Sequence, residues 1–398
     1  MIKNNLKTID EVLTNKVGQV LPNREGLKKL MQKKKIRLYL GVDPTGKKLH
    51  LGHLIPLRKL QEFADLGHEA ILVIGTGTVL AGDPSQRDKV RPKITEEEIA
   101  DNFKTWKKQV ENIIDFSKVE VRQNGEWLLK LGLGDIINIA SNVSAVRLFQ
   151  RDMFQKRIDA GGTVWMHETL YPLLQGYDSV FLDVDLEIGG SDQVFNMLIG
   201  REMQQKMNRR EKFVLTCSMV LGTDGKTMSK SSGNCIWVDD SPKDKFGKIM
   251  SIPDELIVPY FRLLTDTPDV KSKEYEGLLK SGKINPRDLK KQLAFEIVKL
   301  YNSPEAAGKE KKEFEKIFEK KGLPSNIPMV KIGKEAINIL DLLTKTKLAS
   351  SKSEAKRLVL QKGVQIDGKV HDDWKGEVKI KKDLIIQVGK RKFVKVSR

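Results

Sequence analysis

The chain has 398 residues, of which 39% are hydrophobic and 31% charged, and this balance excludes a disordered protein. No apolar run is long enough to span a bilayer, and the N-terminus lacks a signal-peptide pattern. Cys217 and Cys235 are the only cysteines, and they form neither a metal-binding pattern nor a disulfide framework. We therefore expect a cytoplasmic protein of about two or three domains.

The net charge of +18 is unevenly distributed, since residues 331–398 hold 18 Lys and Arg against 8 Asp and Glu. Such an asymmetry favours a polyanionic partner, most simply a nucleic acid. A solvated lysine-rich surface would give the same composition, so this alternative stays open.

The first part of the chain has the pattern of an open parallel sheet. Residues 1–35 look helical and charged. The apolar runs at 36–42 and 70–74 each predict a buried strand. Between them, apolar residues at helical spacing over 54–64 predict a helix that ends at Gly67. In such sheets, ligands bind at the carboxyl ends of the strands, against a helix N-terminus.

Two of the five histidines lie at the start of this predicted helix, in the order His50, Gly52, His53. Imidazoles beside the positive end of a helix can stabilise the charge of a triphosphate. Gly52 has no side chain, so a nucleotide could approach the backbone closely. Alternatively, one histidine caps the helix and the other lies on the surface.

A glycine-rich segment, residues 75–85, follows the second strand. Asp83 could hold a cation such as an ammonium group, and Arg87 and Arg91, four residues apart, could face phosphates together. A simple turn followed by a helix cap explains the same residues equally well.

Tyr171, Gln175 and Asp178 are spaced so that they share one face of a helix. Three hydrogen-bonding side chains on one stripe suit a polar pocket, although an ordinary exposed face has the same pattern. Residues 180–184 then predict a further strand, because they are apolar and partly β-branched.

Two more loops follow at predicted strand ends. In residues 188–193, Gly190 permits close backbone approach and Asp192 could accept hydrogen bonds from ribose hydroxyls. The strand expected over 213–219 leads into residues 223–234, a loop of small residues with two lysines. Such a loop is suited to closing over phosphates.

The rest of the chain has no nucleotide-binding pattern. Residues 242–322 predict helices, and residues 322–328 resemble a linker. Past it, a capped helix beginning near Ser351, a hairpin around Asp367-Gly368 and further strands predict a small αβ module. Three basic residues of its helix would suit contact with an RNA backbone: Lys352, Lys356 and Arg357.

Taken in order, these segments resemble the bacterial tyrosyl-tRNA synthetases, which are class I aminoacyl-tRNA synthetases. The matching motifs are His50-Leu-Gly-His53, Gly82-Asp83-Pro-Ser85, Tyr171-x3-Gln175-x2-Asp178, Gly189-Gly-Ser-Asp-Gln193 and Met228-Ser-Lys-Ser231. The resemblance spans essentially the whole chain. It implies an α/β Rossmann-like parallel-sheet catalytic domain over residues 1–222 and an α-helical anticodon-binding domain with the signature loop over 223–325. A small α+β RNA-binding domain of the alpha-L type would cover residues 331–398.

The resemblance also implies roles for individual residues. The phenol of tyrosine would be bound by Tyr39 and Asp178, and the amino-acid end by Asp83, Tyr171, Gln175 and Gln193. The ATP side would comprise Asp43, Gly52, Gly190, Asp192, Met228, Ser229 and Lys230. Catalytic stabilisation of the transition state would come from Thr45, His50, His53 and Lys230. Further phosphate contacts are expected from Lys226, Arg87 and Arg91, and tRNA contacts from Lys352, Lys356 and Arg357.

The implied reaction joins L-tyrosine to tRNA(Tyr) through tyrosyl-adenylate, with ATP and Mg²⁺ as a substrate complex and without a protein-bound metal. A homodimer is expected from the resemblance. Two positions depart from the family pattern: Thr227 replaces the first lysine of the signature loop, with Lys226 one place earlier, and Leu40 replaces a small or thiol-bearing residue.

Three rival interpretations remain. A tryptophanyl-tRNA synthetase is disfavoured by Tyr39 and Asp178, which suit a phenol. A non-catalytic RNA-binding protein is disfavoured by the histidines and Lys230. A small-molecule nucleotidyltransferase does not explain the basic C-terminal region.

Overall fold

The computed structural model describes residues 7–83, 95–228, 232–318, 327–389 and 392–397. The chain forms two compact units, Met1–Ala307 and Gly308–Arg398. Within the described ranges, none of the helices is both long and apolar enough to cross a membrane. The domain boundary expected after residue 222 stays a prediction, and most of the predicted linker lies outside the described residues.

The first unit is built on one mainly parallel sheet. Its strands are β1 (Val17–Leu21), β2 (Arg37–Val42), β3 (Glu69–Ile74), β4 (Val119–Gln123), β5 (Leu186–Gly190) and β6 (Phe213–Cys217). Their order across the sheet is β1-β6-β5-β2-β3-β4. Only β1 runs antiparallel to its neighbour in this sheet. The predicted parallel-sheet fold is confirmed.

Helices connect these strands and continue to the end of the unit. They are α1 (Ile9–Thr14), α2 (Arg24–Lys33), α3 (Leu54–Asp65), α4 (Thr78–Ala81), α5 (Glu96–Val110), α6 (Gly125–Leu128), α7 (Leu133–Ala140), α8 (Ala145–Phe149), α9 (Asp152–Asp159), α10 (Met166–Leu182), α11 (Val194–Asn208), α12 (Pro242–Met250), α13 (Ile257–Leu264), α14 (Asp269–Lys280) and α15 (Pro286–Tyr301). Helix α16 (Pro304–Phe318) begins in the first unit and ends in the second.

Helix α3 is buried along almost its whole length, including the charged residues Arg58, Lys59 and Glu62. The Lys59 ammonium donates to the carbonyls of Val12 at 2.6 Å and Asn15 at 2.8 Å, and it pairs with Glu62 at 2.6 Å. These bonds satisfy carbonyls at the C-terminal end of α1, which would otherwise be buried without donors. The helix that follows the histidine motif is therefore held firmly against α1.

The second unit is a small α+β module. It contains β7 (Met329–Lys331), β8 (Ala336–Asn338), α17 (Ile339–Lys345), α18 (Lys352–Leu360), β9 (Val364–Ile366), β10 (Lys369–Val370), β11 (Glu377–Lys379), β12 (Leu384–Val388) and β13 (Lys392–Ser397). The predicted hairpin is present, since β9 pairs antiparallel with β10. Asp367 and Gly368 between them both have positive φ, as a tight two-residue hairpin turn requires.

Two local predictions were wrong. Residues 180–184 are not a strand, because α10 continues to Leu182 and ends at Asp183 in the left-handed conformation. Residues 1–35 are not all helical, because Val17–Leu21 forms the edge strand β1 against β6. Strand β1 was missed because β6, its pairing partner, lies far away in the sequence. The run at 180–184 was misread because the apolar end of a helix also fits a strand pattern.

Candidate active site

The order of the strands creates a crevice at the carboxyl edge of the sheet. From β2 the chain continues to β3 on one side, whereas β5 and β6 lie on the other side of β2. This reversal between β2 and β5 is where open α/β sheets bind ligands. The expected site residues fall at this edge: Asp43 follows β2, Asp83 follows β3 by way of α4, and Asp192 follows β5.

The histidine motif lies next to this edge. The backbone N–H of His50 donates to His53 Nδ1 at 3.1 Å, and the two ring centres are 3.7 Å apart. Because Nδ1 accepts, the proton of a neutral His53 resides on Nε2. His53 also lines a small apolar cavity with Val42 and Ile74, the last residues of β2 and β3. The motif thus lies at the carboxyl ends of the central strands.

A side chain at Gly52 would be crowded within this motif. A Cβ at Gly52 would lie 3.0 Å from His50 Nδ1 and 3.3 Å from Val220 Cγ1, both closer than normal contacts. The backbone of the motif is also paired, since the Leu51 N–H donates to the Ile236 carbonyl at 3.0 Å. The half-buried Thr45 lies in the loop just before, where its N–H donates to the Asp43 carbonyl at 2.8 Å.

Asp178 is a buried carboxylate with a donor on each oxygen. It is 2% exposed, and it accepts hydrogen bonds from Asn124 Nδ2 at 3.0 Å and Trp127 Nε1 at 2.8 Å. Burial raises the pKa of Asp178 to about 8, although the two hydrogen bonds oppose this rise. Asp178 therefore keeps its proton in the folded chain up to about pH 8, and the two fixed donors limit how far burial raises this pKa.

A chain of hydrogen bonds connects Asp178 to the end of β2. Asn124 Nδ2 also donates to Thr78 Oγ1 at 3.1 Å, and Thr78 donates to Asp43 Oδ1 at 2.8 Å. The other oxygen of Asp43 accepts from the Tyr171 hydroxyl at 3.0 Å. Asp43 and Tyr171, expected on the nucleotide side and the amino-acid side respectively, are thus in direct contact.

A second group of hydrogen bonds joins the side chains expected around the amino-acid end. Gln193 Nε2 donates to Asp83 at 3.0 Å and to Asp192 at 3.1 Å. Asn196 Nδ2 donates to the side-chain oxygens of Gln193 at 2.9 Å and Gln175 at 3.0 Å. Burial raises the pKa of Asp192 above its ordinary value. Carboxylates and amides are therefore collected on one side of the crevice.

Tyr39 is fully buried, and its hydroxyl faces helix α10. The Tyr39 hydroxyl is 3.0 Å from Ser179 Oγ and 3.3 Å from the Gln175 carbonyl oxygen. Burial, with the nearby carboxylates of Glu187 and Asp178, raises the pKa of Tyr39 well above its ordinary value. Tyr39 is thus a neutral phenol at physiological pH. Leu40 beside it is buried in β2.

The expected signature loop is described only in part. Its base is a turn in which the Gly222 N–H donates to the Lys226 carbonyl at 2.7 Å and Asn234 Nδ2 donates to Asp224 at 2.8 Å. Met228 is buried at its end, and the Lys226 side chain is exposed. Four expected contact residues lie outside the described residues: Arg87, Arg91, Ser229 and Lys230.

The structure adds site residues that sequence reasoning missed. Asn124 and Trp127 could have been found, because they directly follow β4 at the same carboxyl edge. Arg151 is buried with its guanidinium 4.7 Å from the Phe195 ring centre, and Asp83 is among the charges that act on it. Burial lowers the pKa of Arg151. No local pattern marked Arg151.

Comparison with known proteins shows the family of this chain. The family model described as "tRNA synthetases class I (W and Y)" matches residues 31–319, and the model of the "Tyrosine--tRNA ligase SYY-like C-terminal domain" matches residues 319–396. The tyrosine--tRNA ligase of Thermotoga maritima is 46% identical over 388 residues, which cover 97% of this chain and 96% of the relative. That of Aquifex aeolicus is 39% identical, covering 95% of each.

The chain belongs to the tyrosine--tRNA ligase family. The predicted family and enzyme class are confirmed, namely class I aminoacyl-tRNA ligases. Among solved structures, tyrosyl-tRNA synthetase from Archaeoglobus fulgidus complexed with L-tyrosine has a TM-score of 0.62 at 25% identity and covers 76% of this chain and 100% of its own. The truncated mitochondrial tyrosyl-tRNA synthetase of Aspergillus nidulans has a TM-score of 0.65 at 21% identity, covers 78% of this chain and 94% of its own, and shares the fold.

ATP is the nucleotide that the family uses. Among the residues that the structure describes, no group of three or more His, Cys, Asp or Glu side chains could hold a metal ion.

Proposed function

We propose that this chain activates L-tyrosine with ATP to form tyrosyl-adenylate and pyrophosphate, and then transfers the tyrosyl group to the 3′-terminal adenosine of tRNA(Tyr). The observation that carries this proposal is Asp178, a fully buried carboxylate next to Tyr39. A hydrogen-bonded chain connects Asp178 to Asp43 at the nucleotide side of the crevice.

At the amino-acid end, Asp178 and Tyr39 would bind the phenol of the substrate. Phenylalanine would leave these buried polar groups unpaired, and each unpaired group costs about 1–3 kcal/mol. A known tyrosyl-tRNA synthetase rejects phenylalanine by a factor of about 10⁵. The ammonium group would lie among the acceptors Asp83, Tyr171, Gln175 and Gln193.

At the nucleotide end, the adenosine would lie against Gly190 and Asp192, where a Cβ at Gly190 would overlap the Asp192 carboxylate. The triphosphate would lie beside His50 and His53, at the first turn before α3. We further propose that Asp43, Gly52 and Met228 complete the ATP site, with further contacts from Ser229, Lys230, Lys226, Arg87 and Arg91.

The reaction itself needs no protein nucleophile. The tyrosine carboxylate attacks the α-phosphorus in line, and pyrophosphate leaves. The protein would act by holding both substrates in the crevice and by stabilising the charge that develops on phosphorus, through Thr45, His50, His53 and Lys230. Mg²⁺ would arrive with ATP as part of that substrate, where it neutralises phosphate charge.

The second unit would bind tRNA through the exposed face of α18. Lys352, Lys356 and Arg357 are all exposed there. Lys352 pairs with Asp341 at 2.6 Å, and the Lys356 ammonium is 3.9 Å from the Trp374 ring centre. A cationic face next to an aromatic ring suits an RNA backbone and an unstacked base. Deleting residues 331–398 should preserve adenylate formation and weaken tRNA charging, and equal loss of both half-reactions would refute this division.

We also propose a homodimer that functions in the cytoplasm, where charged tRNA is used. Large apolar side chains are exposed between α7 and the start of α10: Leu133, Ile137, Val146, Trp165 and Met166. Exposed apolar patches of this kind mark interaction surfaces. Sedimentation equilibrium should give a dimer that Ile137→Glu dissociates. A native monomer would contradict this proposal.

The decisive experiment is ATP–pyrophosphate exchange with each of the common amino acids in turn. Tyrosine alone should support rapid exchange in the native chain, and Asp178→Ala should abolish it because the phenol loses its hydrogen-bond partner. Exchange supported best by another amino acid, or normal tyrosine-dependent exchange in Asp178→Ala, would refute the assignment.

A further inference from the structure

A buried ion pair lies beneath the crevice, between β5 and the residue that precedes β6. Glu187 and Lys212 pair with each other, and their side chains are 1% and 0% exposed. Glu187 is directly opposite Tyr39 in the register of β5 against β2. The pair is therefore an immediate neighbour of the tyrosine that is expected to meet the substrate.

The pair contacts both ends of the proposed amino-acid pocket. One Glu187 oxygen accepts from Gln175 Nε2 at 2.9 Å. The other lies 3.3 Å from Ser179 Oγ, and Lys212 Nζ donates to the same Ser179 oxygen at 2.8 Å. Ser179 in turn contacts the Tyr39 hydroxyl at 3.0 Å.

The charges fix the direction of these hydrogen bonds. An ammonium group only donates and a carboxylate only accepts, so Ser179 accepts from Lys212 and gives its hydrogen to Glu187. The Tyr39 hydrogen must then point to Ser179 Oγ or to the Gln175 carbonyl oxygen, since both are acceptors. The network therefore fixes the position of the Tyr39 hydroxyl and restricts where its hydrogen points.

The same pair sets the orientation of the Gln175 amide. Its nitrogen faces Glu187, and its oxygen accepts from Asn196 Nδ2 at 3.0 Å. A flipped amide would place its oxygen against the Glu187 carboxylate and its nitrogen against the Asn196 donor. Because all of these groups are buried, such mispairing would cost several hydrogen bonds at once.

We propose that Glu187 and Lys212 are positioning residues for tyrosine selection, which hold the Tyr39 hydroxyl and the Gln175 amide each in one orientation. The inference rests on the proposed function. It explains why a buried ion pair is present at this place, since such pairs contribute little net stability compared with apolar residues of similar volume.

The test compares the full-length native chain with the double variant Glu187→Gln/Lys212→Met, which removes both charges together and approximates the volume. The measured quantity is kcat/KM for tyrosine divided by kcat/KM for phenylalanine, from ATP–pyrophosphate exchange. In the double variant this ratio should fall about tenfold or more, because Ser179 and Tyr39 can reorient. The KM for ATP should stay within about twofold of the native value, and the melting temperature should stay close to native.

A matched control removes another buried ion pair of the same unit. Lys59→Met/Glu62→Gln lies away from the Tyr39 group and should leave the tyrosine-to-phenylalanine ratio within about twofold of native. If the Glu187/Lys212 double variant does not fold, Ser179→Ala provides the second test. It removes the hydroxyl between the pair and Tyr39, and it should lower the ratio about threefold or more.

The outcomes separate the two proposals. A native chain without tyrosine-dependent exchange would overturn the proposed function. A native chain with that exchange, together with an unchanged ratio in the folded double variant or in Ser179→Ala, would overturn the inference alone. An equal fall of the ratio in the Lys59/Glu62 control would also overturn it, because the effect would then follow from any buried ion pair.

Discussion

The buried carboxylate of Asp178 should make the stability of the protein depend on pH in a specific direction. Its pKa is raised from 3.8 to about 8 in the folded chain, with burial as the main cause. Between these values the folded state keeps a proton that the unfolded state has released. Stability should therefore decrease as the pH rises through this range, and the decrease should end above about pH 8.

The variant Asp178→Asn isolates this effect, because asparagine does not titrate. One pKa unit corresponds to about 1.4 kcal/mol, so the free energy of unfolding of the variant relative to native should increase by about 3 kcal/mol between about pH 5 and about pH 7. Asparagine mispairs with Asn124 or Trp127, but the free-energy cost of this mispairing does not depend on pH. It therefore changes the difference in unfolding free energy between the two chains by the same amount at every pH.

The assay is equilibrium unfolding in urea of both chains over a series of pH values, followed by tryptophan fluorescence. Four of the five tryptophans lie in residues 1–307, and one of them, Trp127, donates to Asp178. Taking the difference in unfolding free energy between the two chains at each pH cancels the contributions of the other titrating groups. A difference that stays constant from about pH 5 to about pH 8 would show that Asp178 is ionised throughout, and it would refute this reasoning.

Three further variants test neighbouring contacts. Trp127→Phe keeps an aromatic ring against Phe181 but removes the hydrogen-bond donor to Asp178. The KM for tyrosine in exchange assays should therefore rise about tenfold or more, and an unchanged KM would contradict this. Gly75→Ala places a Cβ on the Asp43 carboxylate. The rate of pyrophosphate exchange should fall about 100-fold while the circular dichroism spectrum stays native, and full activity would exclude this crowding. Lys59→Met leaves buried acceptors unpaired and should lower the free energy of unfolding in urea by about 3–5 kcal/mol. A loss below about 1 kcal/mol would count against the role of Lys59 in holding α1.

The sequence predicted the part of the fold that depends on local pattern. The strands β2 and β3, the helix α3 and the β9–β10 hairpin all have apolar periodicity or turn residues of their own. Strand β1 was missed because its partner β6 lies about 200 residues away, and its few half-buried residues carry no clear alternation. Residues 180–184 were misread because an apolar, β-branched run also suits the end of a helix that is buried against α11.

The same distinction applies to the site. The motifs predicted which residues lie at the carboxyl edge of the sheet, such as Asp43, Tyr171 and Asp178. They did not predict the groups that hold those residues. Asn124 was overlooked although it directly follows β4, and Lys212 reaches Ser179 from a sequence distance that no local pattern spans. The assigned roles of the motif residues stay predictions until they are measured.

The most direct test of the account is a crystal structure of the protein with a non-hydrolysable analogue of tyrosyl-adenylate. We expect the phenol oxygen within hydrogen-bond distance of Asp178 and Tyr39, the adenosine against Gly190 and Asp192, and the phosphate analogue beside His50. An analogue bound with its phenol away from Asp178, or outside the crevice between β2 and β5, would contradict the account.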